Sequence, residues 1–124
     1  MRIAVLLLVA GCGAEGSCLV LPADCVPQYD PVFDEIWDNT LSVSCALSGC
    51  HGPDDRSGGL SLGDNPDNAF DALQRYITPG DAPCSRLMKH LEPTGGRSQM
   101  PPGGALLDEE RCVVRTWIND GAVR

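Results

Sequence analysis

Two cysteines and a histidine lie close together in the segment SCALSGCHGP, residues 44–53. Cys45 and Cys50 are separated by four residues, and His51 directly follows the second cysteine. Two thiols can add across the vinyl groups of a porphyrin, and an imidazole next in sequence then meets the iron from the same side. The usual spacing has two residues between the cysteines. We interpret the longer spacer as a loop that leaves both thiols in place, because Ser48-Gly49 suits a tight turn.

Two other interpretations of these residues stay open on spacing alone. In the first, Cys45 and Cys50 form a disulfide and His51 is merely exposed. In the second, zinc is bound by Cys45, Cys50, His51 and His90, which are suitable donors. Free thiolates are disfavoured in an oxidising compartment, so zinc is the weaker of the two alternatives.

A haem iron with a proximal histidine needs a further ligand from a distant part of the chain. Met100 fits this role because it lies in QMPPGG, where two prolines stiffen the backbone and no helix can form. A His/Met pair is the ligation of electron-transfer cytochromes, and it raises the reduction potential. His90 is expected to be a solvated helix residue, and Met88 a core residue.

The start of the chain predicts export from the cytoplasm. Arg2 precedes an apolar run over residues 3–10, too short to span a bilayer and typical of a signal peptide. The tetrad VAGC that follows resembles a bacterial lipobox, which predicts cleavage after residue 11 and lipidation of Cys12. The alternative is an ordinary signal peptide cut a few residues later, at AEGS.

The cysteine count fits this interpretation. Seven cysteines are an odd number for an oxidising compartment, and lipidation of Cys12 leaves six. These six form either three disulfides or two disulfides plus a Cys45/Cys50 pair bonded to something else. For the second case we favour the pairs Cys84–Cys112 and Cys18–Cys25, with Asp81 and Asp108 as N-caps of the helices near Cys84 and Cys112.

Composition narrows the class of protein. The formal charge is −8, and it becomes −9 once Arg2 is removed with the signal peptide, which argues against nucleic acid and anionic lipid as partners. With 14 glycines, 10 prolines and only two each of Phe, Trp and Tyr, the chain is rich in loops and poor in core residues. Such a domain usually depends on disulfides, a metal or a cofactor for stability.

Hydrophobic periodicity predicts a small all-α domain of about four helices connected by long loops. Residues 12–30 show no periodicity and are predicted to be a tether, which leaves residues 31–124 as the domain. Helices are expected from about residue 31 to 41, 67 to 76, 82 to 91 and 108 to 120. Their predicted buried residues are Phe33, Ile36, Trp37, Leu41, Ala69, Phe70, Leu73, Tyr76, Leu87, Met88, Leu91, Val113, Val114, Trp117 and Ile118.

The order of several segments resembles one family. SCALSGCHGP, SGGLSL, TPGDAPCSRLMKHL, QMPPGG and LDEERCVVRTWINDGA together look like the cytochrome c-like domain of planctomycete and myxobacterial envelope proteins. The resemblance covers about residues 31–123. It implies a small helical fold around one haem c, thioether bonds at Cys45 and Cys50, His51 as proximal ligand and Met100 as distal ligand. The four-residue spacer departs from the family pattern.

The functional prediction is a monohaem c-type cytochrome lipoprotein that transfers single electrons. Since both axial positions of the iron would be filled, an electron carrier is expected and not an enzyme. Its partners would be redox proteins of the cell envelope, on the periplasmic side, with membrane contact only through the lipid anchor. The alternatives are a haem-free disulfide-stabilised lipoprotein with a structural or binding role and, less favoured, a small haem enzyme such as a peroxidase.

Overall fold

The computed structural model describes residues 16–124, so the predicted signal peptide and lipidated Cys12 lie outside the described residues. Its α-helices are α1 (Phe33–Ile36), α2 (Pro66–Leu73), α3 (Arg86–Leu91) and α4 (Asp108–Asn119). No β-strand occurs in this part of the chain. The predicted all-α class is confirmed.

The first helix is longer than expected and changes its geometry along its length. After α1 the chain continues as a π-helix over Trp37–Cys45, and the amide of Ala46 donates to the carbonyl of Leu41 at 2.7 Å. A π-helix closes i to i+5 hydrogen bonds, and such turns often occur at functional sites. The helix therefore reaches the first cysteine of the motif, four residues beyond its predicted end.

The two middle helices have different starts. α2 begins after Asn65, whose side chain accepts a hydrogen bond from the amide of Asn68 at 3.0 Å, and it ends in a 3-10 turn over Gln74–Tyr76. α3 is shorter than predicted because the residues before Arg86 form turns. Asp81 accepts from the amide of Cys84 at 3.2 Å within these turns, so it caps a turn and not α3.

The bounds of the last helix agree closely with the prediction, but its N-cap residue differs from the predicted one. Leu107 occupies the N-cap position, and Asp108 is the first helical residue. The side chain of Glu110 accepts a hydrogen bond from the amide of Leu107 at 3.1 Å. The three acids at the start of α4 lie at the positive end of the helix dipole, as expected.

The core lies where α1, α2 and α4 meet. Phe33 is 1% exposed, and its ring centroid lies 5.2 Å from those of both Phe70 and Trp117. Met88 is fully buried, which confirms its prediction as a core residue. Most of the residues predicted to face inward are buried: Phe33, Ile36, Trp37, Leu41, Ala69, Leu73, Met88, Leu91, Val113, Val114, Trp117 and Ile118.

Two disulfides fasten the N-terminal segment to the helices. The bonds are Cys18–Cys84 and Cys25–Cys112, so the predicted pairs Cys84–Cys112 and Cys18–Cys25 are wrong. The error has a physical cause: the segment before α1 runs across α3 and α4, which places its two cysteines beside different helices.

Backbone hydrogen bonds follow the same path. The amide of Leu19 donates to the carbonyl of Pro83 at 2.8 Å, and that of Gln28 to Glu109 at 3.2 Å. Tyr29 is hydrogen-bonded to the hydroxyl of Thr40. From Cys18 onward, the segment predicted to be a tether is therefore part of the folded domain. Among the described helices, none combines the length and hydrophobicity that crossing a membrane requires.

Candidate functional site

A deep apolar cleft lies between the π-helix, α3 and the loop that precedes α4. Its volume is about 230 Å³. Most of its wall is aliphatic or aromatic. Its lining residues include Cys45, His51, Leu60, Leu87, His90 and Met100.

The π-helix places Cys45 at the wall of the cleft, and the spacer then folds back on itself. The amide of Cys50 donates to the carbonyl of Leu47 at 3.0 Å, and the amide of His51 donates to the carbonyl of Cys45 at 3.2 Å. Gly49 has a φ of 78°, a conformation that glycine adopts without strain. The four-residue spacer therefore forms a closed turn that returns the chain to Cys45.

His51 lines the cleft with a defined ring orientation. Its Nδ1 lies 2.7 Å from the carbonyl oxygen of Leu60. Because a carbonyl can only accept, Nδ1 is the donor of this bond, and in the neutral ring Nε2 then has the lone pair. A histidine that ligates a metal through Nε2 is usually held by such a bond.

The two cysteines of the motif are free thiols, so the disulfide between them does not form. Cys45 lines the cleft, whereas Cys50 is half-buried but does not line it. Burial raises the pKa of the Cys45 thiol to about 11, with further contributions from Glu110 and Cys50. Cys45 is therefore a neutral thiol at physiological pH, a poor metal ligand and a slow partner in disulfide exchange.

Met100 lies on the cleft wall, on a loop bound to the end of α3. Its amide donates to the carbonyl of His90 at 2.9 Å. The Gln99 amide group contacts three carbonyl oxygens, those of Met100 at 2.8 Å, Leu91 at 3.1 Å and His90 at 3.3 Å. Sequence reasoning did not identify Gln99, because no pattern marks a side chain that bonds to carbonyl groups across a loop.

The two ends of the Met100 loop are joined by Arg111 of α4. Its Nε lies 3.2 Å from a carboxylate oxygen of Glu92, where the loop begins, and both side chains are largely buried. The same guanidinium donates to the carbonyl of Leu106, where the loop ends. The loop thus has no regular structure, as predicted, but its ends are fixed to one side chain.

The structure corrects the prediction for His90. This residue is half-buried and lines the cleft with His51 and Met100, so it is not a solvated helix residue. The signal that could have identified it is the i, i+3 spacing from Leu87, which lines the same cleft.

The zinc interpretation has no support. Over residues 16–124, no three His, Cys, Asp or Glu side chains come together in a group that could hold a metal ion. Tetrahedral zinc sites in proteins use three or four such ligands. A haem iron needs only one protein ligand on each side, so this finding does not affect the haem interpretation.

Comparison with known proteins agrees with the resemblance described above. Residues 48–104 match the family model of Planctomycete cytochrome C. The resemblance to a planctomycete cytochrome c-like domain is confirmed. No match was found among curated proteins or among solved structures.

Some site residues lie inside the matched range and one lies outside it. Cys50, His51 and Met100 fall within the matched range, together with α2 and α3. Cys45 precedes the range by three residues. The unusual first cysteine and the π-helix that carries it are therefore the parts of the site that the family match does not cover.

Proposed function

We propose that this chain is a monohaem c-type cytochrome that transfers single electrons in the cell envelope. The observation that carries the proposal is the placement of His51 and Met100 on the wall of one apolar cleft, with Nδ1 of His51 already bonded to a carbonyl group. The apolar wall of the cleft and the chemistry of these two side chains fit a haem.

Each residue of the site has a distinct role in this proposal. Haem, when bound, supplies an iron that cycles between two oxidation states. His51 would hold this iron through Nε2, and Met100 would hold it through its thioether sulfur. Cys45 on the cleft wall, and Cys50 after the turn of the spacer, would supply the thioether bonds to the porphyrin. The neutral state of the Cys45 thiol keeps it from side reactions before attachment.

The same residues favour electron transfer over catalysis. An iron held by the imidazole of His51 and the thioether of Met100 would have no open position for a substrate. The apolar wall excludes water and thereby stabilises the less charged iron state, which supports a high reduction potential. The partners are redox proteins of the envelope that deliver or accept one electron.

The lipoprotein part of the proposal depends on the sequence of residues 1–12 alone. Export would bring the chain to the periplasmic side, where haem is attached to cysteines and where Cys18–Cys84 and Cys25–Cys112 can form. Lipid on Cys12 would then hold the domain at a membrane.

The deciding experiment is a pyridine haemochrome spectrum of the protein co-expressed with a cytochrome c maturation system. We expect a Soret band and, by intact mass, one covalently bound haem plus two disulfides. A protein without a Soret band whose mass shows three disulfides would instead be the haem-free structural lipoprotein. Peroxide turnover by the haem-loaded protein with Met100 intact would favour a haem enzyme.

A further inference from the structure

His90 is a second imidazole in the same cleft as His51. It lies near the end of α3, is half-buried, and lines the cleft together with Met100. The expected His51/Met100 ligation leaves this residue without a role, and its chemistry is that of an iron ligand.

The ring of His90 is held in the same way as that of His51. Its Nδ1 lies 2.9 Å from the carbonyl oxygen of Ser98, compared with 2.7 Å between Nδ1 of His51 and Leu60. The carbonyl requires a proton on Nδ1, so in the neutral ring of His90 the lone pair is also on Nε2. Both histidines of the chain therefore have the tautomer that binds a metal through Nε2.

His90 and Met100 belong to one hydrogen-bonded unit. The carbonyl of His90 accepts from the amide of Met100 at 2.9 Å, and the ring of His90 bonds to Ser98, two residues before Met100. Gln99 contacts the carbonyl groups of both residues. The imidazole and the thioether are thus carried by the same part of the cleft wall.

We propose that the distal side of the haem site holds two ligands, and that Nε2 of His90 binds the iron whenever Met100 does not. This inference rests on the proposed haem function. A thioether favours ferrous iron because it is soft, whereas imidazole also suits ferric iron. His90 thus keeps the iron six-coordinate and closed to small molecules when the Met100 bond is lost.

The test uses the haem-loaded protein and the variants Met100→Ala and Met100→Ala/His90→Gln. We expect the single variant to remain low-spin, with a bis-imidazole electron paramagnetic resonance signal and a lower reduction potential than the wild type. The double variant should become high-spin. Glutamine can still donate a hydrogen bond to Ser98, so the loop is retained. Met100→Ala/Lys89→Gln is the matched control and should stay low-spin, which also excludes the neighbouring lysine as ligand.

Binding of external imidazole provides a second readout in the same proteins. If His90 occupies the iron in more than nine-tenths of the molecules, the single variant binds imidazole at least about tenfold more weakly than the double variant. If Met100→Ala fails to fold, the same measurements can be made on Met100→Leu, which keeps an apolar side chain of similar volume at this position.

The outcomes separate this inference from the proposed function. The role of His90 is overturned if the haem-loaded wild type has methionine ligation and the Met100→Ala variant is high-spin and binds imidazole like the double variant. The proposed haem function would stand in that case. A wild type that takes up no haem overturns both.

Discussion

Nδ1 of His51 lies 2.7 Å from the carbonyl oxygen of Leu60. The backbone of the same histidine is also held, because its carbonyl accepts a hydrogen bond from the amide of Leu62 at 2.8 Å. Leu62 is 1% exposed, so the segment that holds His51 is itself anchored in the core. A ligand fixed at both its ring and its backbone loses little conformational freedom when it binds iron.

Replacement of this ligand is the most direct test of the site. We expect His51→Ala to change the spectrum of the haem-loaded protein from low-spin to high-spin, because no other imidazole lies on that part of the cleft wall. External imidazole should restore the low-spin spectrum. His90→Ala, measured in parallel, should leave the wild-type spectrum intact, and a low-spin His51→Ala protein without added imidazole would contradict the assignment.

The two thiols of the motif can be tested separately. We expect Cys45→Ala and Cys50→Ala each to leave one vinyl group unreacted, which shifts the haemochrome band to longer wavelength. The double variant should release its haem to acidified acetone. The Cys45 result is the more informative, because Cys45 lines the cleft but lies outside the family match. An unchanged band in Cys45→Ala would mean that the wild type has a single thioether bond at Cys50.

The disulfide pairing has a clear biochemical signature. Non-reducing peptide maps should contain the linked pairs Cys18–Cys84 and Cys25–Cys112, and no Cys84–Cys112 peptide. Removing the Cys25–Cys112 bond with two alanines should lower the free energy of unfolding by about 2–5 kcal/mol, since it closes a loop of 87 residues. Urea unfolding measures this change. A loss below about 1 kcal/mol would indicate that the N-terminal segment stays docked without the bond.

The thiol of Cys45 should respond to pH in a predictable direction. Its pKa is raised to about 11, so the folded state favours the neutral thiol. The contribution of this group to the stability of the fold is present below the pKa of the unfolded chain, and it is lost as the pH rises through about 11. In folded apoprotein at pH 8, alkylation of Cys45 by iodoacetamide should be about a hundredfold slower than in urea.

A matched variant tests the electrostatic part of this shift. Glu110 contributes to the raised pKa of Cys45, and its side chain accepts a hydrogen bond from Leu107. Glu110→Gln removes the charge and can keep the hydrogen bond, so alkylation of Cys45 should become faster. Equal alkylation rates in urea and in buffer would show that the thiol is not buried.

The ends of the Met100 loop depend on a largely buried ion pair. Arg111→Gln should lower the free energy of unfolding by about 3 kcal/mol, because it leaves the carboxylate of Glu92 buried without a partner. It should also weaken methionine ligation in the haem-loaded protein. Arg124→Gln is the control: Arg124 pairs with Asp34 and Asp67, whose side chains are largely exposed, and its loss should have little effect. Similar unfolding curves for both variants would contradict the role of Arg111.

Much of the fold could be predicted from local patterns. The acids at the start of α4 and the apolar positions Val113, Val114, Trp117 and Ile118 define a helix without reference to the rest of the chain, and its bounds agree with the structure within one residue. The sequence predicts too short a first helix, because Thr40 and Ser44 have low intrinsic helix propensity. In the structure, the packing of Leu41 and the hydrogen bond between Thr40 and Tyr29 extend the helix to Cys45.

The remaining features depend on contacts between distant residues. Six cysteines allow several pairings, and only the path of residues 16–30 across α3 and α4 brings Cys25 to Cys112. His51 and Met100 could be chosen from residue type and context. The i, i+3 spacing from Leu87 puts His90 on the same face of α3, but that this face lines the cleft depends on how α3 packs. The bonds of Gln99 and Arg111 have no sequence signal.

The docking of the N-terminal segment also limits how far the domain can stand from a membrane. A free tether from Cys12 to residue 31 would allow a separation of up to about 65 Å, whereas attachment at Cys18 leaves six residues and about 20 Å. If Cys12 carries lipid, the domain is confined to a layer within about 20 Å of the bilayer surface. In that case, an electron partner of the proposed cytochrome would have to reach that layer, by diffusing to it or by being anchored in the same membrane.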